Sequence, residues 1–150
     1  MINIFKGTGT ALVTPFKSDG SIDFDALKRL VRLNLDGGVN FLVVQGTTGE
    51  SPTLNQEEKL RVLHSIAEEN KRQVPIVYGV GGNNTLDVVE KLKKVDSSIV
   101  QGILSVSPYY NKPIQSGIIA NYKMLADVTD LPIILYNVPG RTGSNVLAET

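Results

Sequence analysis

The chain has 150 residues, 41% of them hydrophobic, and its 15 basic and 15 acidic side chains leave a formal net charge of zero. This length suits a single core, and the balanced charge argues against a broad basic surface for nucleic acid. Because the sequence has no cysteine, disulfides, thiolate metal sites and a thiol nucleophile are excluded.

Nothing in the sequence points to a membrane or a secretion signal. No run approaches the roughly 18 apolar residues of a membrane span. The opening segment, Met1 to Gly7, lacks a charged stretch followed by an apolar core, which is the pattern of a secretory leader. We therefore expect a cytoplasmic protein with neither a membrane nor a nucleic acid as its partner.

Five apolar runs of strand length alternate with four segments of helical period. Each apolar run is rich in β-branched or aromatic residues. Asp23 and Asn55 suit the N-caps of the first two helices, and Gly37-Gly38 suits the end of the first. In chain order the predictions are strand 10–13, helix 24–35, strand 41–44, helix 56–70, strand 76–80, helix 86–94, strand 103–106, helix 114–128 and strand 132–136.

A strand followed by a helix, repeated about every 30 residues, is typical of a parallel sheet with right-handed crossovers. The strands lack polar alternation, which predicts burial on both faces. Two α/β architectures fit this pattern: an open five-stranded flavodoxin-like sheet, and the first part of a TIM barrel. Residues 145–149 look like the start of a helix after the fifth strand, so the sequence looks truncated within that helix.

Glycines flank two threonines directly after the second strand. Such a turn can offer backbone N–H groups to an anion such as a carboxylate, and the hydroxyls of Thr47 and Thr48 can relay protons. Taken alone, the segment equally fits an ordinary loop whose threonines satisfy local backbone groups.

The fourth and fifth strands are followed by phenols and a guanidinium. Tyr109 and Tyr110 lie in a loop, where adjacent tyrosines also suit a subunit interface. The phenol of Tyr136 can take part in proton transfer, and Arg141 carries a charged fork suited to a carboxylate. Each residue alone fits a structural role. Their occurrence at strand ends, where α/β enzymes place their chemistry, predicts one shared site together with the threonine turn.

Two other candidates carry less weight. The segment 79–84 resembles a dinucleotide-binding loop, but Asn84 occupies the position of its third glycine. His64 is the single histidine and lies within a predicted helix, so a zinc site has little support. We expect no nucleotide and no metal.

Four motifs occur in order along the sequence: Gly9-Thr10-Ala11-Leu12-Val13-Thr14-Pro15-Phe16, Gly46-Thr47-Thr48-Gly49-Glu50-Ser51, Ser107-Pro108-Tyr109-Tyr110-Asn111-Lys112-Pro113 and Tyr136-Asn137-Val138-Pro139-Gly140-Arg141-Thr142. Together they resemble the dihydrodipicolinate synthase family, within the superfamily of pyruvate-dependent class I aldolases and lyases. The arginine after the Tyr-Asn-Val-Pro run favours the synthases over N-acetylneuraminate lyase. The resemblance implies a (β/α)8 TIM barrel, of which this chain supplies about the first five strands and four helices.

The resemblance also implies a reaction: condensation of pyruvate with aspartate 4-semialdehyde in lysine biosynthesis, with no metal or organic cofactor. By position, Thr47, Tyr110 and Tyr136 become a proton relay, and Tyr110 reaches the site of a neighbouring subunit. Thr48 with its loop holds the pyruvate carboxylate, and Arg141 holds that of the semialdehyde. The family suggests a homo-oligomer arranged as a dimer of dimers.

In this family, a lysine on the sixth barrel strand forms a Schiff base with pyruvate. No lysine in the sequence stands at a matching position. We therefore expect residues 1–150 to be the N-terminal part of a single barrel domain, inactive alone, with the activity in a longer chain. The alternatives are another pyruvate-dependent lyase and a noncatalytic binding or assembly fragment.

Feedback inhibition by lysine is expected to be weak or absent. Gln56 and Lys59 stand where lysine-sensitive bacterial relatives commonly have histidines, and an additional cation at Lys59 repels a lysine effector. An inhibition assay checks this, and a submillimolar inhibition constant for lysine would contradict it. By resemblance, the effector site lies near Ser51, Asn83, Asp87 and Tyr109, and Asp87 replaces a glutamate.

Overall fold

Strands and helices alternate along the chain as the sequence pattern predicts. The structure, a computed structural model, describes residues 4–71 and 73–150. Met1 to Asn3, which belong to the segment considered above for a secretory leader, lie outside the described residues. The elements are β1 (Gly9–Ala11), α1 (Phe24–Asp36), β2 (Phe41–Val44), α2 (Gln56–Asn70), β3 (Ile76–Gly79), α3 (Thr85–Leu92), β4 (Gly102–Val106), α4 (Gln115–Ala126), β5 (Ile133–Tyr136) and α5 (Pro139–Thr142).

Local capping signals explain why the first helices begin where they were predicted. Asp23 accepts a hydrogen bond from the backbone N–H of Ala26 at the start of α1. At the start of α2, Asn55 and Glu58 each accept from the other's backbone N–H, which forms a complete capping box. The bounds of β2 and α2 match the prediction, and the other predicted elements differ by one or two residues at their ends.

The first of two compact units runs to Gly79 and includes Ile99–Gln101. In it, β1, β2 and β3 pair in parallel, with Thr10 opposite Leu42 and Leu42 opposite Ile76. Helices α1 and α2 pack against each other. Apolar side chains with almost no exposure form the core of this unit, namely Leu27, Val31, Leu42, Val44, Val62, Ile66, Ile76 and Val77.

The second unit consists of Val80–Ser98 and Gly102–Thr150. Strands β4 and β5 pair in parallel, and Val106 lies opposite Tyr136 at their carboxyl ends. The hydroxyl of Tyr122 on α4 donates to the carbonyl of Ser105 on β4 at 2.9 Å, which ties helix to strand. The core of this unit is formed by Val88, Leu92, Ile103, Ile118 and Leu125.

The prediction that the strands are buried on both faces is wrong for β1 and β5. Leu135 in β5 is 53% exposed, and the other three residues of that strand are only half-buried. In β2, Leu42 and Val44 are buried while Phe41 and Val43 are half-buried. Successive side chains of a strand point to opposite faces, so the alternation in β2 means that one face of this strand is more fully covered than the other.

The expected helix over residues 145–149 is also not observed. Residues 145–147 have no regular secondary structure, and residues 148–149 form a turn. The side chain of Asn137 binds it instead: its amide donates to Asn145 and to the carbonyl of Val146, and accepts from the N–H of Val146. A helix could not present these groups to Asn137, so contacts eight and nine residues apart in sequence override the local pattern.

Burial of Tyr78 predicts a loss of stability at alkaline pH. Tyr78 is 6% exposed, and burial raises the pKa of its phenol to about 12. Its stabilising effect is complete below the unfolded pKa near 10 and is lost as the pH rises toward 12. Ionisation of Tyr78 should lower the unfolding free energy by about 2–3 kcal/mol over this pH range, and Tyr78→Phe should remove that loss. Urea denaturation at a series of pH values measures the unfolding free energy of both proteins. The same dependence of unfolding free energy on pH in both would contradict the prediction.

Candidate active site

The turn after β2 exposes both threonine hydroxyls. Thr47 and Thr48 are exposed within a single 3₁₀ turn, Thr47–Gly49. Neither hydroxyl nor backbone N–H of these two residues has a hydrogen-bond partner among the described residues. These two hydroxyls and two N–H groups are therefore not committed to hydrogen bonds within the described part of the chain.

Buried contacts hold this turn in place. The hydroxyl of Thr14 donates to the carbonyl of Gly49 at 2.7 Å in a buried hydrogen bond. Gln45, which precedes the turn, is 4% exposed and has a left-handed φ of 60°. A Cβ on Gly79 would lie 2.2 Å from the Gln45 carbonyl oxygen, so only glycine permits this approach of β3.

Neither Thr14 nor Gln45 was predicted from the sequence to have a role in the site. Neither amide atom of the buried Gln45 side chain has a hydrogen-bond partner in the structure. A glutamine ending an otherwise apolar strand is a signal that the sequence does contain. Thr14 gives no comparable signal, because its partner lies 35 residues away in sequence.

The segment 107–113 after β4, here called the tyrosine loop, is strained and exposed at Tyr110. Tyr110 has a left-handed φ of 69° and a side chain that is 86% exposed. Asn111 donates from its side chain to the carbonyl of Asn83 at 2.8 Å. This bond places Asn83 beside the loop that carries Tyr109 and Tyr110.

The other two residues predicted for effector binding are placed differently. Asp87, on the exposed surface of α3, forms a salt bridge of 2.6 Å with Lys91, one turn further along the helix. Its carboxylate is therefore already compensated by a cation. Ser51 is half-buried at the start of a second 3₁₀ turn, Ser51–Thr53, in the first unit.

A short turn after β5 separates Tyr136 from Arg141. Tyr136 is the last residue of β5 and is half-buried. Arg141 is exposed on α5, and its guanidinium has no hydrogen bond or ion pair among the described residues. The next residue, Thr142, is 2% exposed and donates to the carbonyl of Ser144 at 2.7 Å. The turn is thus anchored inward at Thr142 and presents Arg141 outward.

The single histidine contributes nothing to these turns. His64 lies on the exposed surface of α2. Within residues 4–71 and 73–150, no group of three or more metal-ligating side chains is assembled. None of the described helices combines the length and the apolar character needed to cross a membrane.

Comparisons with known proteins agree over nearly the whole chain. The 4-hydroxy-tetrahydrodipicolinate synthase of Flavobacterium psychrophilum is 58% identical over 97% of this chain and 50% of its own length. The crystal structure of dihydrodipicolinate synthase from Thermotoga maritima matches 98% of this chain and 50% of that one, with a TM-score of 0.94 and 46% identity. The chloride inhibited dihydrodipicolinate synthase from Acinetobacter baumannii, complexed with pyruvate, matches 95% of this chain and 49% of that one, with a TM-score of 0.91 and 41% identity.

These folds define the class: a chain of βα repeats with the fold of part of a (β/α)8 barrel. The flavodoxin-like alternative is thereby excluded. The sequence profile of the Dihydrodipicolinate synthetase family matches residues 4–150, and the chain belongs to this family. It spans about half the length of the curated relatives it matches.

Removing the buried hydroxyl under the threonine turn should destabilise the protein. Thr14→Val leaves the Gly49 carbonyl buried without its donor, which costs about 1–3 kcal/mol of unfolding free energy. Thr53→Val is the matched control, because the Thr53 hydroxyl donates to a carbonyl at an exposed position. We expect the control to lose about 0.5 kcal/mol or less. Urea denaturation measures both, and equal losses would contradict the role given to Thr14.

Proposed function

We propose that this chain is the N-terminal part of a single barrel domain of a 4-hydroxy-tetrahydrodipicolinate synthase. The reaction condenses pyruvate with L-aspartate 4-semialdehyde through a Schiff base, in the route to diaminopimelate and lysine. Membership of the family across residues 4–150 carries the proposal. The exposed, unpartnered groups at three strand ends support it.

Thr47, Tyr110 and Tyr136 are the proposed proton relay. Conversion of the pyruvate imine to an enamine removes a proton, and the condensation with the aldehyde requires another to be delivered. A hydroxyl that is not committed to a structural hydrogen bond can accept one proton and donate another. Thr47 is exposed and unpartnered, Tyr110 projects from its loop, and the Tyr136 hydroxyl has no hydrogen bond among the described residues.

Two anion-binding groups are assigned to the two carboxylates. The turn of Thr48 presents N–H and hydroxyl donors, which suit the carboxylate of pyruvate. Arg141 has no acidic partner among the described residues and suits the carboxylate of the semialdehyde. The same arginine favours the synthase reaction over that of N-acetylneuraminate lyase.

The nucleophile is formed on a lysine that the family places on the sixth strand. Attack of its uncharged amine on the ketone of pyruvate, with loss of water, gives a protonated imine, which withdraws electrons as a methyl proton leaves. The resulting enamine donates the electron pair that forms the bond to the aldehyde carbon. No metal is needed for this step. We propose that this lysine is supplied by a part of the barrel other than residues 1–150.

Assembly and regulation follow from the same family. We propose a homo-oligomer, a dimer of dimers, in the cytoplasm. The exposed Tyr110 beside the partly exposed Tyr109 is the kind of surface that subunit interfaces use. Ser51, Asn83, Asp87 and Tyr109 are the proposed surroundings of an effector site. The pairing of Asp87 with Lys91 supports weak binding of lysine there.

Trapping the Schiff base tests the proposal. The complete natural chain carrying this sequence is treated with pyruvate and borohydride, and its intact mass and modified residue are determined by mass spectrometry. We expect one reduced pyruvate adduct on one lysine. Borohydride without pyruvate is the control. A chain that neither forms the adduct nor condenses pyruvate with the semialdehyde would overturn the proposed function.

The role of Arg141 has a separate readout. Arg141→Ala should raise the KM for aspartate 4-semialdehyde at least about tenfold, since a hydrogen bond to a charged group contributes about 1.5–3 kcal/mol. The extent of pyruvate adduct formation should remain that of the unmodified protein. Steady-state kinetics and the trapping assay measure the two effects. An unchanged KM for the semialdehyde contradicts this assignment but leaves the Schiff-base chemistry intact.

A further inference from the structure

Asn137 joins the two ends of the segment that carries Arg141. Its side-chain nitrogen donates to the side-chain oxygen of Asn145 at 2.8 Å and to the carbonyl of Val146 at 3.3 Å. Its side-chain oxygen accepts from the N–H of Val146 at 3.1 Å. The amide therefore binds Val146 in both directions, as a paired strand would, and closes a loop over residues 138–144.

Inside this loop, little freedom remains for the backbone around Arg141. The N–H groups of Arg141 and Thr142 both donate to the carbonyl of Val138, at 2.8 and 3.1 Å. Gly143 ends the turn with a left-handed φ of 68°. Asn137 is thus the contact that links this compact turn to the end of β5 on one side and to Val146 on the other.

A second amide holds the same segment further along the chain. Gln115, at the start of α4, donates to the carbonyl of Asn145 at 2.8 Å and accepts from the N–H of Leu147 at 3.3 Å. Gln115 lies on a helix and is not attached to β5 or to the turn. Both side chains are amides that bind residues 145–147, but only Asn137 is attached to the turn that carries Arg141. Comparing their variants therefore distinguishes an effect on the anchoring of the segment from an effect on the orientation of Arg141.

We propose that Asn137 is a positioning residue for Arg141. By closing the loop, it fixes the direction in which the guanidinium leaves the turn, and so sets its geometry toward the carboxylate that it binds. It also fixes the backbone directly after Tyr136. This inference rests on the proposed function of Arg141, and Asn137 itself makes no contact with substrate in it.

The experiment compares Asn137→Ala with Gln115→Ala in the complete natural chain. Asn137→Ala should raise the KM for aspartate 4-semialdehyde about five- to thirtyfold, the factor that corresponds to losing one or two ordinary hydrogen bonds. The extent of pyruvate adduct formation should not change. Gln115→Ala should leave the KM for the semialdehyde within about twofold, because Asn137 still closes the loop.

Two further measurements test the mechanism directly. Amide hydrogen exchange at Val146 should become faster in Asn137→Ala, whether or not the proposed function holds. In an Arg141→Ala background, Asn137→Ala should raise the KM for the semialdehyde no further, since the side chain it positions is gone. If Asn137→Ala fails to fold, Asn137→Asp is used. It keeps the acceptor for Val146 and loses the donor, so an intermediate rise in KM is expected.

The outcomes separate this inference from the function on which it depends. If the protein with its natural sequence has no condensation activity, the proposed function is overturned. Faster amide hydrogen exchange at Val146 in Asn137→Ala would still establish the closed loop in that case. An active protein in which Asn137→Ala and Gln115→Ala raise the KM equally overturns the positioning role. Full additivity of Asn137→Ala with Arg141→Ala overturns it as well.

Discussion

Parallel pairing of short apolar strands is the constraint on which the described structure depends. Two parallel neighbours cannot be joined by a tight hairpin, so each strand is followed by a crossover that contains a helix. Thr47 follows β2, Tyr110 follows β4 and Arg141 follows β5, each in the connection that leaves the carboxyl end of its strand. These three residues, to which roles are proposed, therefore lie in the connections that parallel pairing requires.

Backbone strain is concentrated in these same segments. Gln45, Tyr110 and Lys112 are non-glycine residues with left-handed φ angles, and two of them lie within the tyrosine loop. Such conformations cost free energy and persist only where surrounding contacts impose them. Here the close approach of Gly79 to the Gln45 carbonyl and the bond from Asn111 to Asn83 supply those contacts. Lys71, the C-cap of α2, is also left-handed, with a φ of 49°.

Charged side chains on the helices differ from Arg141, on the turn after β5, in whether they have a partner of opposite charge. The ion pairs of Arg32 with Glu69 and of Lys91 with Asp87 join residues of helices. These pairs are exposed and contribute modestly to stability. Arg141, by contrast, has no acidic partner among the described residues. The backbone that carries this cation is anchored by the hydrogen bonds of Thr142 and Asn137, which is what the binding role proposed for it requires.

The sequence by itself determined the order of the elements, their bounds to within about two residues, and the motifs that assign the family. These properties are local: β-branched runs define strands, and the reciprocal hydrogen bonds of Asn55 and Glu58 fix the start of α2. Tertiary structure alone decided that residues 145–149 are not helical, that Leu135 in β5 is exposed, and that the Gly49 carbonyl is bound by Thr14. Each of these depends on groups distant in sequence or on which strand face a helix covers, and no local pattern encodes that.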